Sequence, residues 1–482
     1  MWLMNRRDYL KSSAVLLAGS VVPGCDGQGS NDAGPTGVTA ESGFPGRTEM
    51  YEHGTPPIAT SGWTAPTGVL PGYPVLDREL DADVVVVGAG LAGSSLALHL
   101  AEAGVNVVVL EARQPGWGAS GRNAGHVLPT LKDLGMFERF PGRGKAFLEL
   151  FREHHTITFD LAKKHDIACD AAQSGYLHVT RRSSVFDKLK AKSVYWKQEQ
   201  GQQVEWLEGA DVEALTGSRY FPFGVLYKSG GRVNPYLFTN GMITAATARG
   251  ARVFGASEAL SLVNTGGRWR VSSAQGAVVA DRVVFCTNAY PSAIVAQFTN
   301  NFYPLTAYAV STKPLPREAL DIVMPSRATL SEEPVDLNPF VVDMHGRIIT
   351  SSIPSASRPD DGLWHFGNHL AWIHRTWPET RAMDIQMDDY WTGRVALRDV
   401  EFPGMFELQP GVFGLMHFNA WGNLMAPLLG MALANAMARD RMDQLPFPVE
   451  TPVPVANPGK QELMIRKLLI PAARLGQRFG LI

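Results

Sequence analysis

DADVVVVGAGLAGSSLALHLAEAGVNVVVLEARQPGWGASGRNAGHV, residues Asp81 to Val127, decides the fold. Val84 to Val87 form a short apolar run of the kind a buried parallel strand needs. Gly88, Gly90 and Gly93 come next in the turn G-A-G-L-A-G, with Ala89, Leu91 and Ala92 between them. An Ala/Leu-rich helical pattern from Ser94 to Ala103 stops at Gly104. Val107 to Leu110 make a second apolar strand, and Glu111 stands at its tip. The spacing predicts a βαβ unit that binds a dinucleotide. Gly88 permits the tight turn, Gly90 lets the backbone approach a pyrophosphate, and Gly93 lets helix and strand pack closely. The helix start offers unpaired N–H groups and a positive dipole end to the phosphates. Glu111 is expected to accept hydrogen bonds from an adenosine ribose, with Ala112 and Arg113 beside it in the same cofactor-binding turn.

The residues after Glu111 narrow the dinucleotide. Small residues from Gly118 to Gly121, including Ser120, let backbone N–H groups converge. Arg122 and Asn123 supply donors, and Ala124 and Gly125 leave room for a flat ring system. This GASGRNAG segment resembles the FAD-dependent amine and amino-acid oxidoreductases of the D-amino-acid oxidase/sarcosine oxidase superfamily, in particular the γ-glutamylputrescine oxidoreductase branch. Three more stretches carry the resemblance over roughly residues 80 to 440. Gly231 to Ala256 (GRVNPYLFTNGMITAATARGARVFGA) is similar to the family's G-x-V-N-P entry, helix and strand. Arg282 to Pro291 (RVVFCTNAYP) is similar to a strand that brings Thr287 and Asn288 to the flavin. Val412 to Ala434 (VFGLMHFNAWGNLMAPLLGMALA) is similar to the closing strand, glycine loop and helix.

The resemblance implies an α/β protein (α+β overall), with a discontinuous Rossmann-like FAD-binding domain and a mixed or antiparallel-sheet substrate domain. The FAD domain is expected from residues 80–150, 221–300 and 400–445, and the substrate domain from 151–220 and 301–399. Ser174 to Val179 resembles the family's first substrate-domain strand. Gly422, Asn423 and Leu424 are expected at a helix N-terminus that faces the flavin pyrimidine and stabilises negative charge there.

Composition agrees with an ordinary globular enzyme. The chain has 482 residues, 45% hydrophobic and 19% charged, which suits two or three domains. A net charge of −2 gives no general pull toward nucleic acid. A second GxGxxG with a following acid is missing, so no nicotinamide site is expected. There is no CxxC or HExxH spacing, hence no metal. His154, His155 and His165 lie in a charged helical stretch and read as solvated. Cys286 sits in an apolar strand, where an inert buried thiol is the default.

Both ends carry further signals. Asn5-Arg6-Arg7-Asp8-Tyr9-Leu10-Lys11, followed by an apolar region from Ala14 to Val22, resembles a twin-arginine export motif over residues 1–25. Val22-Pro23-Gly24-Cys25 resembles a lipoprotein cleavage box, with Cys25 as the residue that would carry the lipid tether; simple cleavage suits it equally. Residues 26–72 are rich in Gly, Ser, Thr and Pro and read as a flexible linker. The expected location is the periplasm, either soluble or anchored to the membrane facing it. In the tail, 446–482, Met464, Leu468, Leu475 and Phe479 recur at near-helical spacing among Arg466, Lys467, Arg474 and Arg478. An amphipathic helix there suits a membrane surface or the protein's own surface.

The expected reaction is oxidation of an amine. A C–H bond next to nitrogen gives a hydride to flavin N5, and water hydrolyses the imine. Electrons pass to oxygen or to a membrane quinone or cytochrome. A D- or L-amino-acid dehydrogenase or deaminase is the first alternative, and a non-catalytic, tethered flavin-binding module the second. His126, His417, Asn419 and Trp421 are the candidates to face the ring. Family members that hold flavin covalently use a Cys in the C-terminal half or a His in the cradle. This chain has no Cys after Cys286 and has Arg122 in the cradle, so non-covalent FAD is expected. It also has no lysine between Lys313 and Lys460, where sarcosine oxidases use one to activate oxygen. An amino-acid substrate needs an arginine clamp for its carboxylate; Arg347, Arg358, Arg375, Arg381, Arg394 and Arg398 are available.

Overall fold

The computed structural model describes residues 61–64, 70, 72–131 and 134–479. The twin-arginine segment, Cys25 and most of the expected linker lie outside the described residues. Strand β1 (Glu79–Val87) runs through the glycine turn into helix α1 (Leu91–Glu102) and strand β2 (Val107–Leu110). Strand β3 (Tyr176–Thr180) belongs to a second sheet, and helix α2 (Pro235–Ala248) and strand β4 (Ala277–Phe285) return to the first. Strands β5 (Tyr303–Thr312), β6 (Thr329–Glu332) and β7 (Ile348–Ser352), helix α3 (Gly362–Thr376) and strand β8 (Met387–Leu397) then complete the second layer. Strand β9 (Val412–Met416) and helix α4 (Gly422–Ala438) close the first.

The first sheet has eight strands, with the path Gly404–Gln409, β9, β4, β1, β2 and Arg252–Phe254; an antiparallel hairpin extends from β4. β1 lies parallel to β4 (Val87 opposite Phe285) and to β2 (Val87 opposite Leu110), and β9 lies parallel to β4. Both faces of this central part are buried, so its strands read as near-continuous valine runs. Because β1, β2, β4 and β9, four of the sheet's five parallel strands, end together, Gly88, Glu111, Cys286 and His417 emerge along one edge, where an open α/β sheet binds its ligand. The second sheet also has eight strands, in the order β8, β5, β7, Phe340–Val342, β6, β3, Phe223–Tyr227 and Val204–Glu208. All its pairs are antiparallel except β6 with β3. It roofs the cleft between the two sheets.

Three segments differ from expectation. Ser61 to Thr64 are buried rather than part of a flexible linker: the Trp63 indole packs with Tyr236, Ala309, Ile349 and Trp391 and donates from Nε1 to the Asn123 carbonyl at 2.7 Å. One turn anchored by one tryptophan has no periodicity to betray it. Phe223–Tyr227 lies within the stretch assigned to the FAD domain, yet pairs in the roof. The helix Ile157–Lys164 lies in the stretch assigned to the substrate domain, yet its Ile157 and Leu161 join the core around α1 and α4. A strand's alternation or a helix's apolar face is the same whichever layer it covers.

Pro427 inside α4 shows how local chemistry fixes the site. Proline has no N–H to offer the carbonyl four residues earlier. That carbonyl belongs to Asn423 and takes the Thr158 hydroxyl instead, at 2.6 Å. α4 packs on α1 so closely that a Cβ at Gly430 would come within 3.0 Å of the Ala92 carbonyl. The tail forms helices Pro458–Met464 and Ile470–Arg478 with a wider turn between. Ile465 packs on Tyr303, Leu305, Ile353 and Leu397 at the roof, while Leu463, Leu468, Leu475 and Phe479 face outward. No helix among the described residues is long and apolar enough to cross a membrane.

Candidate functional site

The glycine turn is built as its sequence demands. Gly88 has φ 103°, and a Cβ on Gly93 would lie 2.0 Å from the Gly88 carbonyl. A Cβ on Gly90 would lie 2.7 Å from Ser120 Oγ, which itself accepts the Leu91 N–H at 2.9 Å. Glu111 braces this turn: Oε2 accepts the Ala89 N–H at 2.8 Å and Oε1 the Arg113 N–H at 2.9 Å. Burial pushes its carboxyl above the ordinary range, and these two N–H bonds pull against that. Each oxygen keeps a second lone pair, so the expected ribose contact adds to the brace rather than replacing it. The Arg113 guanidinium lies over the Trp117 ring, 5.8 Å from its centroid.

Between the two sheets lies a cleft that is partly open to solvent. On the first-sheet side it is lined by Gly90, Leu91, Ala92, Ser120, Arg122, Asn123, Ala124, Asn288, Gly422, Asn423 and Leu424. These expected cofactor residues therefore come together. Gly88, Ala89, Gly93, Glu111, Ala112, Arg113, Gly121, Gly125 and Thr287 are not among the lining residues and support it from behind. A Cβ on Gly121 would lie 2.2 Å from the Gly116 carbonyl, and Gly125 has φ 79° with Trp63 against it. The cradle is tied to α4 by a reciprocal amide pair. Asn123 Nδ2 donates to Asn423 Oδ1 at 3.1 Å, and Asn423 Nδ2 donates to Asn123 Oδ1 at 2.9 Å and to the His126 carbonyl at 2.8 Å. The N-terminus of α4 has no side-chain cap, so its positive dipole end faces the cleft uncompensated.

The four candidates to face the ring divide. His126 and Trp421 line the cleft; His417 and Asn419 do not. His417 is fully buried, with Phe302 and Phe406 at ring-centroid distances of 4.9 and 5.5 Å and no hydrogen-bond partner on either ring nitrogen. Burial holds its pKa well below the usual histidine value, so it is a neutral core ring. The Asn419 amide is committed to the loop, with Oδ1 accepting the Arg398 N–H at 2.7 Å and Nδ2 donating to the Val400 carbonyl at 3.1 Å. The physical cause is a run of left-handed backbone, φ 63° at His417, 51° at Asn419 and 60° at Ala420, which breaks any regular alternation of side chains. His165 also differs from expectation: its side chain is buried, 3.6 Å from Glu102.

On the roof side the cleft is lined by Tyr176, Tyr308, Ser331, Asp336, Ser352 and Arg394, of which only Arg394 was a candidate. Asp336 follows a strand in a proline-flanked loop, and nothing in its sequence neighbourhood marks it. Of the six arginines, Arg394 alone lines the cleft. Arg347 is buried against Asp343 at 2.8 Å, Arg398 pairs with Glu450, and Arg358 with Asp361. Cys286 reaches the cleft, but burial raises its thiol so far that it stays protonated; the Cys169 thiol is pushed up to about 12. Among the described residues no lysine lines the cleft, and no cluster could hold a metal.

The residues present fit FAD. A glycine turn closed to any Cβ, an acidic strand tip behind it, a cradle of small residues and an uncapped helix N-terminus occupy one cleft edge. The family model described as "DAO: FAD dependent oxidoreductase" matches residues 83–436. A γ-glutamylputrescine oxidoreductase of Escherichia coli is 25% identical over 397 residues, covering 81% of this chain and 90% of that protein. Among solved structures, an L-amino acid deaminase from Proteus vulgaris superposes with a TM-score of 0.63 at 19% identity, over 81% of this chain and 95% of the other. Glycine oxidase from Bacillus cereus superposes with a TM-score of 0.60 at 18% identity, over 76% and 97%.

Proposed function

The chain belongs to the DAO family of FAD-dependent oxidoreductases, and within that family we propose that it oxidises the C–N bond of an amine that also carries a carboxylate. The observation that carries this reading is Arg394, the one candidate clamp that lines the cleft opposite the cradle. An arginine there binds a carboxylate bidentately and so orients the neighbouring C–H bond. Bound FAD supplies a two-electron acceptor for the hydride of that bond. The chain's own part is positional and electrostatic. The uncapped α4 N-terminus favours negative charge on the ring side, the Asn123–Asn423 pair fixes cradle to helix, and the roof strands β5, β7 and β8 exclude bulk water.

The product imine hydrolyses to a carbonyl compound and an amine or ammonia. The similarity to a putrescine-derivative oxidoreductase and the shared fold of an amino-acid deaminase and a glycine oxidase support a nitrogen substrate. A protonated, buried Cys286 supports non-covalent FAD. A cleft lining without lysine among the described residues favours electron transfer to a membrane quinone or cytochrome over direct reaction with oxygen. Export by the twin-arginine route, to the periplasm or a membrane facing it, completes this reading.

The test is anaerobic titration of the purified holoprotein with a panel of amines, amino acids and α-hydroxy acids, following loss of flavin absorbance. Carboxylated amines are expected to bleach the flavin, and Arg394→Met to raise the concentration for half-bleaching by about 2–3 kcal/mol, some 30- to 150-fold. Bleaching by α-hydroxy acids alone, or by no compound in the panel, would overturn the reading.

A further inference from the structure

Among the described residues Asp336 is the one carboxyl lining the cleft, and it is only 3% exposed. Its Oδ1 accepts the Asn338 N–H at 3.3 Å, while the buried Oδ2 has no hydrogen-bond partner. Leaving a buried carboxylate oxygen unmatched is unfavourable unless a cation or a proton meets it. The surrounding groups are fixed. Tyr176 donates to Ser331 Oγ at 3.1 Å beside the acid. Behind it the Tyr308 hydroxyl meets His369 Nε2 at 2.9 Å, and His369 Nδ1 meets Asn338 Oδ1 at 2.9 Å. Arg474, from the C-terminal helix, donates to the Tyr308 hydroxyl at 3.3 Å and to Ser352 Oγ at 3.2 Å.

We propose that Asp336 receives the substrate's amino group: the ammonium docks on the free carboxylate oxygen and gives it one proton, leaving the neutral amine that hydride loss requires. An N–H bond breaks, an O–H bond forms, and no electrons change hands. Two opposite charges vanish at an almost fully buried carboxyl, so neither remains to be desolvated. This inference rests on the amine reading and assigns its missing proton acceptor.

The charged and titratable neighbours are consistent with that role. Burial, with Glu333 beside it, holds the Asp336 carboxyl above its usual range, against hydrogen bonds from the Ser331 side chain and the Glu332 backbone. Glu332 adds negative charge at the end of β6 and is itself pushed up to about 7, chiefly by burial. His178 on β3 lies 3.4 Å from Glu333. Across the cleft His126 is pushed down to about 4 by burial, and burial holds His369 on α3 well below the usual value, so both rings are neutral. Arg394 on β8 lines the same cleft, and Arg474 reaches the Tyr308 hydroxyl.

The test uses the holoprotein and whichever of putrescine, sarcosine, glycine and L-proline bleaches the wild-type flavin. The rate of anaerobic reduction against concentration gives an apparent Kd at each pH. The wild type is expected to bind the ammonium form with an apparent Kd nearly constant from about pH 6 to about pH 9. Asp336→Asn can bind only the free amine, so its apparent Kd should fall about tenfold per pH unit as pH rises toward the amine's own pKa. Asp336→Glu should restore the flat profile, and FAD content should be equal in all three. A wild-type Kd that itself falls tenfold per unit would overturn the proposal without any variant. So would parallel profiles for wild type and Asp336→Asn, or loss of FAD in the variant. A wild type that no nitrogen compound reduces would instead overturn the amine reading.

Discussion

A carboxylate at the tip of β2 organises the glycine turn before any ligand arrives. Glu111 holds the Ala89 and Arg113 N–H groups, so replacing it removes two charge-assisted bonds as well as the expected ribose acceptor. Glu111→Ala should therefore weaken FAD binding by about 1–3 kcal/mol, read by fluorescence titration of the apoprotein with FAD. Glu111→Gln, which keeps one acceptor oxygen, should fall between. Wild-type affinity in Glu111→Ala would show that the cofactor is held elsewhere. The place of Glu111 at the strand tip beside the glycine turn was legible because that follows from position in a βαβ unit. His417 was not: next to a glycine loop it looks like a ring-facing base, and only the left-handed backbone that turns it between Phe302 and Phe406 shows otherwise. Asp336 and Tyr308 were invisible for a related reason, since they reach the cleft through long-range pairing of roof strands.

At the scale of elements, periodic segments could be read and aperiodic ones could not. The valine strands, α1, α2 and α4 all announce themselves by runs or Ala/Leu patterns. The turn around Trp63 does not, because Gly, Ser, Thr and Pro around it look like a linker, although the turn forms part of the cradle's back wall. Ser61 Oγ donates to the Gly121 carbonyl at 2.8 Å, Trp63 Nε1 to the Asn123 carbonyl, and Arg347 Nη1 to the Gly62 carbonyl at 2.8 Å. Trp63→Ala leaves a cavity against Tyr236 and Trp391 and should cost about 3–5 kcal/mol of stability in urea unfolding, with parallel loss of FAD. Trp63→Phe keeps most of the packing and forfeits the indole N–H, so about 1 kcal/mol is expected. If Trp63→Ala unfolded like the wild type, the turn would be an ornament on the cradle and not its wall.

For the whole molecule, the decisive fact is how far apart in sequence the site's parts lie. The 88–125 segment, Cys286 to Asn288 and the 421–424 loop are brought together by the pairing of β4 and β9 beside β1, and Trp63 joins them through the Asn123 carbonyl. Composition and motif order could suggest a discontinuous domain, but not that Phe223–Tyr227 joins the roof, since that depends on pairing with β3. The same dispersion bears on location. On the proposed export reading, the chain folds and takes up FAD in the cytoplasm and crosses the membrane already folded. The proposed address for such a route is Asn5-Arg6-Arg7-Asp8-Tyr9-Leu10-Lys11. Replacing Arg6 and Arg7 together by lysine should hold the protein in the cytoplasm with its full complement of FAD and unchanged thermal stability, as seen by cell fractionation and flavin absorbance. Lysine keeps the charge, so any loss of export reads recognition of the paired guanidinium groups rather than net positive charge. Unchanged export of the double variant would remove the address from Arg6 and Arg7, while cofactor-free protein trapped inside would break the link between cofactor loading and the folded state.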